Sequence, residues 1–408
     1  MKPNAGASAE RNGDSVMAGF PPPPERRVTL ENWDQPPFNR WTFQRVRQVI
    51  PTREVSRGVE PASALEAEPK DLDDVSVQSV RGGTATLAQF LDETFTDGFL
   101  VLHRGKVVIE RYLNGMRPAT LHLSQSVAKT VVGTVAGILI HRGTLDPDAP
   151  LTRYVPELER CGYGDARLCH LLDMASGVRF TEDYGHPDSD MTRLDVASGW
   201  RPNTRGDVPD SIYDLALTLP KECEHGTRFL YRSIETDVIS WCMERATGLH
   251  LTELVGCELW AKLGAEWDAC FTVDRAGTAL SDGGFNATLR DYARFGQMIV
   301  QDGRFNGRQI VPAEWIAACR TGDNALFGEP HRSHFPNGAY RNKWWIKDVS
   351  TRVTMALGVF GQMIYVDPDA ALVVVKLSTW PDYLNPEFNL DTVRAVEAVA
   401  VALNAGAG

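Results

Sequence analysis

The chain has 408 residues, of which 43% are apolar and 23% charged, and this composition is that of an ordinary globular protein. Its formal net charge of −11 argues against a surface built to bind nucleic acid or anionic membranes. The seven cysteines are odd in number and no two have C-x-x-C spacing, so we expect reduced thiols in a cytoplasmic protein. No apolar run approaches the length of a transmembrane helix.

The N-terminal segment, residues 1–27, is polar and contains a stiff run of four prolines at 21–24. It lacks the apolar stretch of a secretory signal, and we predict a disordered tail. Residues 28–61 show little periodicity and are predicted to lie irregularly over the surface of the core.

Regular elements follow from residue 87 onwards. The pattern over 87–95 predicts a short helix. Two β-rich runs, 98–103 and 106–112, are separated by Arg104-Gly105, which predicts a β-hairpin.

The middle of the chain, residues 145–264, predicts helices joined by long polar loops, with no strong strand. Strand patterns return after it. The elements predicted there are helices at 288–300 and 312–320, strands at 353–357, 363–366 and 371–377, and a closing helix at 391–403. Strands near both chain ends therefore indicate an α+β fold: an α/β domain built from 28–144 and 265–408, and an all-α domain at 145–264. A site is expected in the cleft between them.

The stretch richest in chemistry is Ser126-Val127-Ala128-Lys129, at the start of an apolar helical run. Helix positions i and i+3 share one face, so the hydroxyl and the amine can meet. Serine needs an adjacent base to act as a nucleophile, and lysine is such a base when burial or the positive helix N-terminus lowers its pKa. The alternative is an N-cap serine and a solvated lysine, because such a motif also arises by chance.

Two later stretches add candidate groups. Tyr231 precedes a predicted helix and can pass a proton between a serine oxygen and a leaving nitrogen, although a core tyrosine is the more ordinary explanation. Gly358 lies in a strand pattern, where it permits close approach of a ligand, and the N–H of Val359 can face an oxyanion. A β-bulge is the alternative there. The sequence carries no metal signature, and we expect no metal or organic cofactor.

These motifs resemble, in their order, those of the class C β-lactamases and penicillin-recognising serine hydrolases: Ser126-x-x-Lys129, Tyr231-Arg232-Ser233 and Ala356-Leu357-Gly358. From about residue 28 to its end the chain also resembles the 6-aminohexanoate-dimer hydrolases, or nylon-oligomer hydrolases. The stretches that carry this second resemblance include Glu182-Asp183-Tyr184, Ser198-Gly199-Trp200-Arg201 and Trp344-Trp345.

The resemblance implies a β-lactamase-like antiparallel sheet flanked by helices, with the all-α domain inserted. It implies Ser126 as the acyl-enzyme nucleophile, Lys129 as its base, Tyr231 as the proton relay, and an oxyanion hole made by the N–H groups of Ser126 and Val359. It further implies that Tyr184 bonds the scissile amide nitrogen and that Asp195 attracts a substrate ammonium group. The full set of implied substrate-binding residues is Tyr184, Asp195, Asp282 and Trp345. A loop tyrosine, two turn or cap aspartates and a core tryptophan are the ordinary explanations.

One departure bears on the substrate. The third motif usually opens with lysine or histidine, which holds the carboxylate of a penicillin, but Ala356 stands there and offers no partner. We therefore predict hydrolysis of short linear amides through an acyl-enzyme, and not of penicillins. The alternatives are a carboxylesterase with the same site and a non-catalytic ligand-binding protein of this fold. The expected partner is a small amide or ester, without nucleic acid or membrane, and the sequence leaves monomer and homodimer open.

Overall fold

The computed structural model describes residues 15–204 and 206–405, in which thirteen α-helices and four β-sheets, of eight, four, two and two strands, are found. The strands are β1 Thr52–Val55, β2 Glu66–Ala67, β3 Ser76–Gln78, β4 Thr84–Thr86, β5 Thr96–His103, β6 Lys106–Tyr112, β7 His122–Leu123, β8 Ala269–Thr272, β9 Phe285–Ala287, β10 Arg304–Phe305, β11 Arg308–Gln309, β12 Ala339–Arg341, β13 Trp344–Ile346, β14 Thr354–Gly358, β15 Gln362–Asp367 and β16 Leu372–Ser378.

The helices account for much of the remaining chain. They are α1 Asn39–Thr42, α2 Leu87–Glu93, α3 Val127–His141, α4 Leu168–Leu172, α5 Asp190–Ala197, α6 Ile212–Ala216, α7 Ile234–Thr247, α8 Leu251–Val255, α9 Ala261–Leu263, α10 Leu289–Val300, α11 Ala313–Cys319, α12 His331–His334 and α13 Pro386–Ala405. A π-helical turn at Gly256–Trp260 joins α8 to α9. No helix within the described ranges combines the length and apolar character needed to cross a membrane.

The larger sheet has eight strands in the order β12-β13-β14-β15-β16-β5-β6-β2, antiparallel except for the β6–β2 pair. The predicted β5–β6 hairpin is confirmed, and its turn residues Arg104 and Gly105 both have positive φ, as a two-residue hairpin turn requires. The pairing of β5 with β16 joins the N-terminal and C-terminal parts of the chain, as the strand patterns at both ends predicted.

Both faces of this sheet are covered by helices. Side chains alternate between the two faces of a strand, so Val373 and Val375 of β16 lie in one apolar cluster and Val374 in another. The first cluster includes α3 and α10, and Gly296 allows α10 to pack closely on Val373, because an added Cβ would lie 2.5 Å from a methyl group. The second includes α2 and α13. Burial on both faces explains why these strands are almost entirely apolar.

The four-stranded sheet has the order β1-β8-β9-β7, and its strand β7 leads the chain into α3. Between residues 145 and 264, leaving aside residue 205, the chain forms helices and loops without a named strand, as predicted. One apolar cluster contains side chains of both this helical region and the sheet region. The division into two domains stays a prediction.

The prediction that residues 28–61 lie over the surface is wrong. Trp33 and Phe43 are completely buried, and the segment contributes α1 and β1. Isolated aromatic anchors, which have no periodicity, hold it in the core. Of the predicted tail, residues 15–27 form turns and a short 3-10 helix with Val16 buried, whereas residues 1–14 lie outside the described part.

A buried carboxylate, Asp97 on β5, joins four separate segments. It accepts hydrogen bonds from Arg40 (2.8 Å), Asn114 (3.0 Å) and the Thr379 hydroxyl (3.0 Å), and His122 Nε2 lies 3.0 Å from its second oxygen. A carboxylate removed from water is tolerated only when its oxygens are bonded in this way. The N-terminal segment, β7 and the chain after β16 are thus fixed to β5.

Replacement of Asp97 by asparagine should reduce the free energy of unfolding by about 3–5 kcal/mol, because it removes the negative charge that is paired with the buried Arg40 at unchanged side-chain size. Urea unfolding followed by circular dichroism measures this loss. Asp73→Asn is the matched control: Asp73 pairs with Arg111 on the exposed surface and should cost at most about 1 kcal/mol. Equal losses in the two variants would contradict the role given to Asp97.

Candidate active site

The turn between β7 and α3 presents Ser126. Gln125 has a φ of +50°, an uncommon conformation for a residue other than glycine, and it turns the chain into the helix. Ser126 follows at the N-cap position, but its hydroxyl does not cap the helix. The first residues of α3 are buried and Ser126 is half-buried, so the Ser126 oxygen lies at a helix N-terminus, where negative charge is favoured.

Lys129 lies on the same face of α3, as the spacing predicted. Its Nζ donates to Ser126 Oγ over 2.8 Å and to the main-chain oxygen of Asp282 over 2.8 Å, and lies 3.5 Å from Asp282 Oδ2. The side chain is only 1% exposed. The alternative of a solvated first-turn lysine is therefore wrong, and the serine and the amine form a contact pair.

The charge of Lys129 differs from the expectation. Burial alone lowers the pKa of an amine, but the Tyr231 hydroxyl and the carboxylates of Asp282 and Glu182 oppose this and together hold the pKa of Lys129 above its ordinary value. The expectation of a lowered pKa is thus wrong for the site without substrate. In this state Lys129 is an ammonium group that donates to Ser126.

Tyr231 completes the catalytic cluster. Its hydroxyl interacts with both Ser126 and Lys129, and burial raises its pKa. The Lys129 Nζ lies 5.1 Å from the centre of its ring. The indole ring of Trp345 stacks on the Tyr231 ring, with a centroid separation of 5.5 Å and an interplanar angle of 22°. Trp345, implied as a substrate contact, is thus placed against Tyr231 and fixes the orientation of that ring.

Two main-chain N–H groups are available for an oxyanion. Those of Ser126 and Val359 donate no hydrogen bond within the described part of the chain, and both residues line the cavity. Gly358 lets β14 approach the Ser126 turn, because a Cβ at this position would lie 2.6 Å from the Ser124 oxygen. The β14–β15 register is regular through Gly358, so the alternative of a β-bulge is wrong.

A narrow, partly open cavity lies in front of Ser126. Its wall is mostly apolar, with carboxyl groups set into it. The lining residues are Asp34, Gln125, Ser126, Tyr184, Met191, Leu194, Asp195, Trp200, Leu280, Asp282, Gly283, Val359 and Phe360. Three of the four implied substrate-binding residues, all but Trp345, thus lie together in it. In the described ranges no three His, Cys, Asp or Glu side chains are grouped so that they could hold a metal ion.

Asp195 on α5 carries a carboxyl group that no hydrogen-bond donor reaches within residues 15–204 and 206–405. Burial raises the pKa of Asp195 to about 8, although Arg201 opposes the shift. Arg201 itself is engaged by both oxygens of Asp34. Asp195 is therefore the cavity carboxyl group that remains available for a cationic group of a ligand.

Tyr184 has a partner that the sequence did not indicate. Its hydroxyl donates to Glu182 Oε1 over 2.7 Å, and Glu182 also accepts the N–H (2.8 Å) and the hydroxyl (2.5 Å) of Ser233. Glu182 belongs to one of the stretches that carried the resemblance, and this was the only signal for it. The Tyr184 hydroxyl is thus engaged by Glu182 in the site without substrate.

The sheet, the Ser126–Lys129–Tyr231 cluster and the two N–H groups are those of a serine hydrolase. The family model described as "Beta-lactamase" matches residues 84–399. The chain is 38% identical over 391 residues to the 6-aminohexanoate-dimer hydrolase of Paenarthrobacter ureafaciens, covering 94% of this chain and 97% of that protein. The chain belongs to the β-lactamase family, and the β-lactamase-like fold is confirmed.

Two further relatives are a protein named as an esterase and a solved structure named with the 6-aminohexanoate-dimer hydrolases. Esterase EstB of Burkholderia gladioli is 33% identical over 154 residues, 36% of this chain and 38% of that protein. A solved Bacillus anthracis structure assigned to the 6-aminohexanoate-dimer hydrolases has a TM-score of 0.86 and 29% identity, and the match covers 94% of this chain and 98% of that one. The chain is therefore similar over its length to proteins named as 6-aminohexanoate-dimer hydrolases, and in part to one named as an esterase.

Gly358→Ala should lower kcat by about a hundredfold, the size of the loss when one oxyanion-hole donor is displaced. The added methyl group would push β14 and the Val359 N–H away from Ser126. Steady-state kinetics checked by a melting curve measure the effect. Gly328→Ala is the control, because a Cβ there has no atom within 4 Å. An unchanged kcat in Gly358→Ala would show that Val359 does not bind the oxyanion.

The pKa of about 8 for Asp195 predicts a pH-dependent KM. As pH rises from 7 to 9, Asp195 changes from mostly neutral to mostly ionised, so KM for a substrate with an ammonium end should fall by about tenfold. KM for an uncharged ester should not fall, and in Asp195→Asn the dependence should disappear. Parallel KM profiles for both substrates in the wild-type protein would contradict this assignment.

Proposed function

We propose that this protein is a serine hydrolase that cleaves short linear amides through an acyl-enzyme on Ser126, with 6-aminohexanoate-dimer-like compounds as its substrate class. The observation that carries the proposal is the 2.8 Å contact between Lys129 Nζ and Ser126 Oγ, at a helix N-terminus that faces the cavity. The related hydrolase of Paenarthrobacter ureafaciens supports the choice of amide.

In the proposed reaction, the Lys129–Tyr231 couple first loses one proton to solvent and becomes the base. Ser126 Oγ then transfers its proton to this couple and attacks the carbonyl carbon, while the N–H groups of Ser126 and Val359 hold the oxyanion. Tyr231 passes the proton to the leaving nitrogen, and the C–N bond breaks. A water molecule then cleaves the ester on Ser126 by the same steps. Because the couple starts protonated, activity should belong to the alkaline side of neutrality.

The cavity suits a thin, flexible chain with a cationic end. Met191, Leu194 and Leu280 offer an apolar wall for methylene groups, and Asp195 offers a carboxylate to an ammonium group. Penicillins fit poorly, because Ala356 is buried in β14 and supplies no cation for their carboxylate.

A carboxylesterase is the second candidate. The specific observation in its favour is that the Tyr184 hydroxyl donates to Glu182 and not into the cavity. An amide nitrogen leaves poorly unless a proton donor assists it, whereas the alkoxide of an ester leaves without such assistance. The similarity to esterase EstB agrees with this choice. A ligand-binding protein without turnover is the third, and a serine-directed probe separates it from the other two.

The cytoplasm is the compartment that we propose. All seven cysteines are free thiols, which agrees with a reducing environment. The net charge of −11 agrees with small-molecule substrates and with the absence of nucleic-acid or membrane partners. The proposed partner is thus a small amide or ester substrate. The protein that binds it is a monomer or a homodimer.

A fluorophosphonate probe should label Ser126, and Ser126→Ala should abolish labelling and turnover. Lys129→Arg should keep the fold but lose nearly all activity, because arginine stays protonated at any working pH. Peptide mass spectrometry locates the label, and wild type is assayed against linear amides and the matching esters. Labelling of another serine would refute the assignment, and a higher kcat/KM for every ester than for its amide would favour the carboxylesterase.

A further inference from the structure

A buried carboxyl group, that of Asp282, faces Lys129 from the segment between β8 and β9. Its main-chain oxygen accepts from Lys129 Nζ, and its Oδ2 lies 3.5 Å from that nitrogen. Its Oδ1 is buried and has no hydrogen-bond partner among the described residues. The side chain is thus directed at Lys129 on one side and enclosed on the other.

Asp237 on α7 supports the backbone that carries Asp282. Its Oδ1 accepts both the N–H and the hydroxyl of Ser281, each over 2.9 Å. Its Oδ2 is buried and finds no partner in the described part of the chain. Because Ser281 immediately precedes Asp282, these two hydrogen bonds fix the position of Asp282 relative to α3.

The two carboxyl groups carry different charges. Burial, with a further contribution from the Asp282 carboxylate, holds the pKa of Asp237 well above its ordinary value. Asp237 therefore favours its neutral acid form more than an ordinary aspartate does, and Asp282 is the member of the pair that faces Lys129. A neutral Asp237 can bond Ser281 without competing for the ammonium group.

The other titratable groups around Lys129 change its pKa in opposite directions. Glu182 attracts the ammonium, but its own pKa is raised by burial. Lys343 repels it, although burial lowers the pKa of Lys343 to about 7 and so weakens the repulsion at neutral pH. Tyr231 is hydrogen-bonded to the Lys129 nitrogen and raises the pKa of Lys129 more than Asp282 does, but it carries a negative charge only when it is ionised, and burial raises its own pKa. Among the described acidic side chains, Asp282 is the one within ion-pair distance of Lys129.

We infer that Asp282, held in place by Asp237 through Ser281, is the counter-ion that keeps Lys129 an ammonium group before substrate binds, and so sets the pH at which Ser126 becomes reactive. Asp282 thus acts on the nucleophile through Lys129 and is a positioning residue. The inference rests on the proposed function for its effect on reactivity, but the charge of Lys129 can be measured without turnover.

The experiment measures the titration midpoint of Lys129 by NMR of protein carrying 13C-labelled lysine, with Lys129→Arg to assign the signal. Asp282→Asn should lower the midpoint by about 1–3 pH units, the usual effect of removing one opposite charge at this distance. The pH at which the fluorophosphonate labelling rate of Ser126 rises should fall by the same amount. Asp282→Ser provides a second variant if asparagine disturbs folding.

Two controls isolate the effect. Asp237→Asn imitates the neutral acid and keeps an acceptor for Ser281, so it should leave the midpoint near that of the wild type. Asp34→Asn removes a cavity carboxylate that pairs with Arg201, and should also leave it unmoved. A wild-type midpoint below that of exposed lysines, an unmoved midpoint in Asp282→Asn, or an equal shift in Asp34→Asn would overturn the inference.

Failure of the proposed function gives a different result. If Ser126 is not labelled at any pH, the acyl-enzyme proposal fails, whereas the midpoint of Lys129, measured in Ser126→Ala protein, still decides whether Asp282 is its counter-ion.

Discussion

The contact between Lys129 and Ser126 places an ammonium group in a site from which water is largely excluded, and much of the surrounding structure compensates for this. A buried charge costs several kcal/mol unless it is paired and hydrogen-bonded. Here the Asp282 main-chain oxygen and carboxylate, the Ser126 hydroxyl and the Tyr231 ring surround the nitrogen. In this arrangement the Ser126 oxygen accepts a hydrogen bond from the Lys129 nitrogen.

Each part of the fold contributes one wall of this arrangement. The helix α3 carries the serine and lysine, the segment before β9 carries Asp282, and the entry to α7 carries Tyr231. The sheet contributes β14, which Gly358 allows to lie against the Ser126 turn. These four pieces come from distant parts of the chain. The geometry of the site therefore depends on the formation of the eight-stranded and four-stranded sheets.

The sequence was informative where the chemistry is local. The spacing of Ser126 and Lys129 and the β5–β6 hairpin both depend on a few consecutive residues, and both were found as predicted. The pKa of Lys129 depends on Asp282, 153 residues farther along the chain, and local patterns could not show its direction.

Short elements and isolated contacts escaped prediction for a related reason. Strands β8, β9, β12 and β13 have three or four residues each, too few to show a period of two. The segment around Trp33 is buried by single aromatic side chains. The bond between Tyr184 and Glu182 depends on loop geometry. The family resemblance gave the substrate-binding residues, but it gave no role to Glu182 or Asp237.

The buried Asp97 has a consequence for the order of events during synthesis. Arg40 and Thr379 are 339 residues apart and are bonded both to each other and to Asp97. His122, in the strand that leads to the Ser126 turn, is bonded to the same carboxylate. The ribosome must therefore release almost the whole chain before the Asp97 carboxylate has all its hydrogen-bond partners. Long-range pairing of this kind makes folding slow, and the nascent chain remains catalytically silent until its C-terminal strands have joined the sheet.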